Sequence, residues 1–309
     1  MNIGIIGAGK VGCTLARAMK FAGMSISGVY SRSAESAALL AKEVDGIFPN
    51  DLKTTVEQAG VVFITVNDDA IEDIVKKIAN KFKRRSGFPL HGKAFFHCSG
   101  AKSSDVLGPL RDLGADVGSL HPLMTFPDKN MPPEELEGIS FCMEGDPRCL
   151  NLAMEITDRI ETNIFFLNSP EDKPLYHVGA CIVSNYMNVL VDLACAVFHE
   201  IGIPAKDAMT HCLPLIYASL ENTLTLGPSQ ALTGPIVRGD VNTVKTHIQA
   251  INARMPWLSD GYRILGLYAA AAANADKKIS NSKYMKLVEL LEEGDFTARP
   301  LAGEGDSDE

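Results

Sequence analysis

The sequence predicts an α/β protein of two parts, a doubly wound parallel sheet followed by an all-helical domain. Three features of the chain predict this. Short Val/Ile/Phe-rich runs alternate with helical stretches up to about residue 145, a glycine-rich turn separates the first such run from the first helix, and beyond about residue 168 the pattern is helical. At 309 residues the chain is long enough for two domains, assigned as 1–168 and 169–301, with a polar tail at 302–309 expected to be disordered.

The strand candidates are Asn2 to Ile6, Ser25 to Tyr30, Val61 to Val66, Lys93 to His97, Asp116 to Leu120, and Ile139 to Met143. Between the first two, Lys10 to Phe21 sets Val11, Leu15, Ala18 and Met19 near one helical face and stops before Gly23, which completes a βαβ unit. Parallel strands need crossovers of this kind. In the second half Pro170 opens a long helical pattern. Gly202-Ile203-Pro204, Gly227-Pro228, Gly234-Pro235 and Met255-Pro256 divide this half into several helices, with Pro204 and Pro256 as first helical residues.

Composition narrows the function classes. With 46% hydrophobic and 22% charged residues the chain is an ordinary globular one, and a net charge of −9 disfavours nucleic acid and anionic membrane surfaces as partners. The apolar run from Val178 to Phe198 is interrupted by Ser184, Asn185, Asn188 and Asp192, so it reads as a buried helix of a soluble protein rather than a membrane span. The start, Asn2-Ile3-Gly4-Ile5-Ile6, reads as a strand and not as a leader. Seven cysteines without a Cys-x-x-Cys pair suggest a reducing, cytoplasmic setting, and neither a metal motif nor a hydrolase elbow is present.

Gly7-Ala8-Gly9-Lys10-Val11-Gly12 follows a strand and opens a helix, the context in which G-x-G-x-x-G binds a dinucleotide diphosphate. Gly7 permits the turn, Gly9 admits the diphosphate to the backbone, and Gly12 allows close helix packing, while the helix start offers free amides. The second strand ends in Ser31-Arg32-Ser33 where an NAD site usually holds a carboxylate. Two hydroxyls and a guanidinium suit a 2′-phosphate, so the expected cofactor is NADP; the bland alternative is a solvated Arg32 with Ser33 capping the next helix. Val66-Asn67-Asp68-Asp69 stands where the chain passes the nicotinamide ribose, with the N-cap of the helix from Ile71 as its alternative role.

On the substrate side, His97-Cys98-Ser99-Gly100 and Ser119-Leu120-His121-Pro122 fall at carboxyl ends of strands, where open α/β sheets present ligand-binding groups. His121 is a candidate acid or orienting donor, and Ser99 a candidate contact to cofactor and substrate; either histidine could instead be structural. His177, Cys181, Ser184, Asn185 and Asn188 form a polar stripe at helical spacing, either lining a cleft or forming a seam between helices or subunits. Arg238, in Gln230-Ala231-Leu232-Thr233-Gly234-Pro235-Ile236-Val237-Arg238-Gly239-Asp240, could hold a carboxylate, or Arg238 and Asp240 could pair with each other or cap neighbouring helices.

These motifs together (GIIGAGKVG, FHCSGA, SLHPLMTF, YHVGACIVSNYMNVL, ALTGPIVRGD) resemble a two-domain Rossmann-like family whose C-terminal half is a domain of unknown function, and the resemblance spans nearly the whole chain. That family is similar to the group of ketopantoate reductase, pyrroline-5-carboxylate reductase, deazaflavin-dependent NADP oxidoreductase and 6-phosphogluconate dehydrogenase. The resemblance implies NADP, a small-molecule substrate, a homodimer formed through a helical domain of the 6-phosphogluconate dehydrogenase type, and reduction of a small oxo or imino acid, ketopantoate-like among others. Many dehydrogenases of the wider group carry a Lys one turn before an Asn on this helix. Here Asn185 matches the Asn, but the Lys position holds Cys181, which leaves His177, His121 or Lys173 as proton sources and a non-catalytic NADP-binding sensor or scaffold as the alternative function. The His121-Pro122 pair is similar to the His-Pro-Met of prephenate dehydrogenases.

Overall fold

The computed structural model describes residues 1–49, 51–83, 87 and 89–292. The polar tail 302–309, and Arg84 and Arg85 of a basic run that begins at Lys81, lie outside the described residues. The chain divides into two compact units, Met1–Asn188 and Val189–Glu309.

The first unit is a seven-stranded sheet, β1 Asn2–Ile6, β2 Ser25–Tyr30, β3 Val61–Ile64, β4 Ala94–His97, β5 Asp116–Pro122, β6 Ser140–Gly145 and β7 Asn163–Phe166, in the order β2-β1-β3-β4-β5-β6-β7. Helices α1 Lys10–Phe21, α2 Ala34–Glu43, α3 Leu52–Gln58, α4 Asp68–Phe82, α5 Gly108–Arg111 and α6 Pro147–Arg159 supply the crossovers. The central strands are buried on both faces, which is why they read as unbroken apolar runs. Along β3, Phe63 packs with Leu15, Met19 and Phe96 on one face, while Val62 and Ile64 pack with Ile71, Ile78 and Phe82 on the other.

The sheet departs from the sequence reading in two places. β6 pairs antiparallel with β5, although the expectation was a wholly parallel sheet. The connection from 123 to 139 packs Met131 and Leu136 over α1 but holds only a 3₁₀ turn, Pro133–Leu136, and returns to the end of β5, where Phe141 pairs with Pro122 and β6 runs back antiparallel. β7 pairs parallel with β6 and was not anticipated; it is a four-residue edge strand with Phe165 and Phe166 facing outward.

The long apolar helix also differs. It runs as α7 Lys173–Cys181, a π turn Ile182–Tyr186 and α8 Met187–Glu200, and the stretch Pro170–Glu200 has the length and mean hydropathy (1.6) to cross a bilayer. The expected buried helix is exposed in the single chain: Val178, Val183, Met187 and Leu190 all face outward. Apolar composition marks a helix that will be covered, and cannot distinguish cover by its own chain from cover by another. The π turn inserts one extra residue, so the three-and-four spacing from His177 to Asn188 does not hold one continuous face.

The second unit continues with α9 Ala205–Leu226, α10 Pro228–Ala231, α11 Val241–Arg254, α12 Ser259–Ala275 and α13 Asn281–Leu291. The breaks fall where Gly and Pro predict them, with Pro204 one residue earlier than expected, at the N-cap of α9. Its core joins Val244, Ile248, Leu267, Ala270, Leu287 and Leu291, and the buried Arg263 guanidinium donates to the Leu290 carbonyl at 2.7 Å at the end of α13.

Candidate functional site

In the order β2-β1-β3 the winding reverses between β1 and β3, and ligands of open α/β sheets bind outside the strand ends at such a point. The turn there depends on glycine. Gly7 has φ +116°, its amide donates to Tyr30 O at 2.7 Å, and its carbonyl accepts the Thr65 hydroxyl at 2.7 Å. A Cβ on Gly12 would run into the Gly7 carbonyl, so α1 can approach the turn only without a side chain. Gly9 differs: the nearest atom to a Cβ there is 3.9 Å away, so the missing side chain leaves open room at the helix start, where no side chain caps the amides.

That room opens on a cleft of about 400 Å³ lined by Gly7, Ala8 and Gly9, by Ser31, Arg32 and Ser33, and by Val66 and Asn67. Lys10 and Val11 lie beside it in the first turn of α1. Arg32 is exposed at the rim, with Lys77 and Lys129 also lining the cleft and Asp73 its one acid among the described lining residues. Ser33 caps α2 by accepting the Ser36 amide at 3.2 Å, and Lys129 donates to the Ser36 hydroxyl at 3.3 Å. Asn67 occupies the N-cap position of α4, yet its side chain makes no capping bond. An amide-lined turn beside three cations suits a dinucleotide carrying an additional phosphate.

A second group of polar residues gathers at the ends of β4 and β5. His97 is wholly buried, donates from Nε2 to Ser103 O at 3.1 Å and accepts the Ser99 amide on Nδ1 at 3.2 Å, so both ring nitrogens are used. Burial first, and the Lys173 charge less, push it down to about 4. Ser99 is likewise engaged: its hydroxyl donates to Asp68 Oδ2 at 2.8 Å and accepts the Ala101 and Lys102 amides. Both are scaffold groups that shape the Gly100 turn. Burial holds the neighbouring Cys98 thiol protonated, at about 12.

Against that turn stand His121 from β5 and Tyr176 and His177 from α7. His121 Nδ1 is hydrogen-bonded to the Tyr176 hydroxyl at 2.6 Å, and its ring meets that of His177 edge-on at 6.0 Å. Burial, followed by repulsion from Lys173 and then His177, pushes His121 down to about 3. Lys173 is completely buried with Nζ 5.4 Å from the Tyr176 ring centre, and burial lowers its affinity for a proton.

The remaining candidates lie elsewhere. Asn185 is exposed within the π turn. Arg238 is exposed in the second unit, where Asp240 caps α11 through the Thr243 amide at 3.1 Å. Sequence reasoning missed Tyr176, Thr65 and Lys129, and named Asp68 only as part of the segment after β3. Only the helical offset of Tyr176 beside His177 carried any signal, because the other contacts join residues far apart in the chain.

Residues 1–122 match the family model of a Rossmann-like domain, and residues 139–269 match that of a domain of unknown function, DUF2520. The chain belongs to the two-domain family that joins these domains. No curated protein matches it. Protein BF3122 of Bacteroides fragilis is a solved structure similar to this chain at 24% identity and a TM-score of 0.66, covering 86% of this chain and 96% of its own. An imine reductase from Myxococcus stipitatus in complex with NADP⁺ matches at 13% identity and a TM-score of 0.63, covering 93% and 100%. A pyrroline-5-carboxylate reductase from Coxiella burnetii matches at 14% identity and a TM-score of 0.54, covering 91% and 98%. At these identities the likeness is one of fold.

Proposed function

We propose that the protein is an NADP(H)-dependent oxidoreductase that reduces the C=N or C=O bond of a small imino or oxo acid. The observation that carries this reading is the cleft at the β1/β3 reversal, where Gly9 leaves the amides open and Arg32, Lys77 and Lys129 stand where a carboxylate would select NAD. Similar folds solved as an imine reductase with NADP⁺ and as a pyrroline-5-carboxylate reductase support it. Gly7 to Gly12 would hold the diphosphate, Ser31, Arg32 and Ser33 the 2′-phosphate, and Val66 and Asn67 the nicotinamide side. Bound there, the cofactor supplies a hydride.

The chain must then supply a proton. His121 has a hydroxyl partner behind it, so a proton given up at Nε2 can be replaced at Nδ1 from Tyr176. Asn185 and Arg238 are further candidates for orienting the substrate. The exposed apolar surface of α8 and α9 fits a second copy of the chain, so we read the protein as a homodimer built through its helical domain and working in the cytoplasm.

Fluorescence titration with NADPH and NADH, followed by NADPH oxidation against a panel of oxo and imino acids, tests the reading. Preferential NADPH binding with turnover of a panel member is expected. Binding without turnover anywhere would favour the sensor, and binding of neither dinucleotide would overturn the proposal.

A further inference from the structure

Buried polar atoms are almost always paired, and an exception calls for a reason. Among the described residues two buried side-chain nitrogens form no hydrogen bond with the chain, Lys173 Nζ and His177 Nδ1. They lie one helical turn apart on α7. Leaving a lysine and an imidazole desolvated without partners is costly, and two such atoms in one turn are not explained by packing.

Their surroundings show what would satisfy them. The ideal Cβ position on Gly100 falls against His177 Nδ1 and 2.8 Å from His121 Nε2, so two imidazole nitrogens from different elements converge on the Gly100 backbone, an approach that any side chain there would block. The nearby acids are committed: Asp68 accepts the Ser99 hydroxyl, and Glu144 accepts the Ser104 amide and hydroxyl, both at 2.7 Å. His97 and His121 are held neutral, which leaves Lys173 Nζ and His177 Nδ1 as the two unsatisfied polar atoms of the cluster, and Lys173 forms no ion pair among the described residues. A group that satisfies both is an anion brought from outside.

We propose that His177 and Lys173 form the receptor for the substrate's carboxylate, held beside His121, which makes the substrate a 2-oxo or 2-imino acid. The word substrate rests on the reductase reading; the receptor itself does not. Because His121 Nε2 and His177 Nδ1 approach the same point, a carboxylate held at His177 lies next to the group held at His121, which favours a carbonyl or imine beside the carboxylate, as in a 2-oxo acid. Lys173 acts at short range through the low-dielectric interior and His177 by direct hydrogen bond.

Oxamate, a 2-oxo acid isostere that resists hydride reduction, is the probe, read by calorimetry and by the thermal unfolding midpoint. Wild-type protein should bind oxamate and unfold at a higher temperature in its presence. Lys173→Met and His177→Leu should each weaken binding by about ten-fold or more, equivalent to about 1.4 kcal/mol. Without oxamate, Lys173→Met should unfold no earlier than wild type, since it removes an unpaired buried charge, and this separates lost binding from lost folding. If Lys173→Met fails to fold, His177→Leu decides alone. Absence of oxamate binding by the wild type, or equal binding by both variants, would overturn the receptor. Parallel NADPH titration keeps the readings apart: NADPH bound without oxamate removes the receptor only, and oxamate bound without NADPH removes the redox reading only.

Discussion

The Tyr176 hydroxyl lies 2.6 Å from His121 Nδ1, joining the second turn of α7 to the end of β5 across 55 positions of sequence. If the hydroxyl donates, the imidazole proton sits on Nε2, facing Gly100. Burial, then Lys173 and His177, hold the ring neutral down to about 3. The His121 imidazole should accordingly show no titration in nitrogen-detected NMR between about pH 5 and pH 8, where an ordinary histidine passes its midpoint. Tyr176→Phe should shift that resonance and leave NADPH affinity unchanged. A midpoint near the ordinary value would refute the neutral couple.

His97 extends the argument to stability. Its folded-state value of about 4 lies below the ordinary 6.5, so the unfolded chain binds more protons between those values and stability falls as pH drops through that window. Glu144, raised mainly by burial, acts in the opposite sense, losing stability as pH rises through its folded value. The informative quantity is therefore the difference between wild type and His97→Gln in urea unfolding. The variant should be less stable at pH 7, and its stability should fall less steeply toward acid by up to about 1.4 kcal/mol per pH unit. Parallel slopes would count against a neutral buried His97.

Arg32 is exposed at the rim of the β1/β3 cleft and makes no ion pair among the described residues, so its guanidinium is free to meet a phosphate. Arg32→Ala should weaken NADPH by about ten-fold or more while changing NADH little, since only the former carries the 2′-phosphate. Lys129→Ala should act in the same direction more weakly, a point charge replacing a bidentate one. Equal losses for both dinucleotides would mean that Arg32 serves the fold or the diphosphate.

Local pattern made the first βαβ unit legible: β1, α1 and β2 run between the residues that periodicity and glycine placement predict. The turn at Gly7 was legible for the same reason, because a tight turn and a close helix approach leave a mark in the residue type itself. β7 was not, since a four-residue edge strand with two exposed phenylalanines shows neither alternation nor a buried run. The antiparallel β6 depends on where a connection travels, which strand composition does not record. His121 could be singled out from its place at a strand end, whereas Tyr176 acquires meaning only once α7 is laid against β5. Ser99 shows the converse: its place at a strand end marked it as a ligand contact, and the structure has its hydroxyl holding Asp68 and two amides.

Gly12 offers a direct probe of the turn. A Cβ there would meet the Gly7 carbonyl and, at 2.5 Å, the Thr65 hydroxyl, both parts of a buried hydrogen-bonded pair. Gly12→Ala should push α1 off the turn, costing about 2 to 4 kcal/mol in denaturant unfolding and at least ten-fold in NADPH affinity. Gly9→Ala should be nearly neutral for stability, since its Cβ meets nothing closer than 3.9 Å, and should still weaken NADPH because that room faces the cleft. If Gly9→Ala bound NADPH as well as wild type does, the diphosphate would have to lie elsewhere.

The apolar surface of the π turn, α8 and α9 calls for cover. Val183 is 68% exposed, Leu215 70% and Leu224 80%, in helices that also present Met187, Leu190 and Leu220 to solvent. A membrane would have to accept Asn185, Asn188 and Asp192 along the same stretch, at a cost of several kcal/mol with no partner among lipid chains. A second copy of the chain would cover these apolar residues, and a stable pair needs about 1,600 Å² of buried surface. Light scattering should therefore give the mass of two chains without detergent. Leu215→Glu and Val183→Glu should each shift the mass toward one chain, because a carboxylate in the centre of an apolar interface is desolvated unpaired. A monomeric wild type that partitions onto lipid vesicles would reverse the assignment.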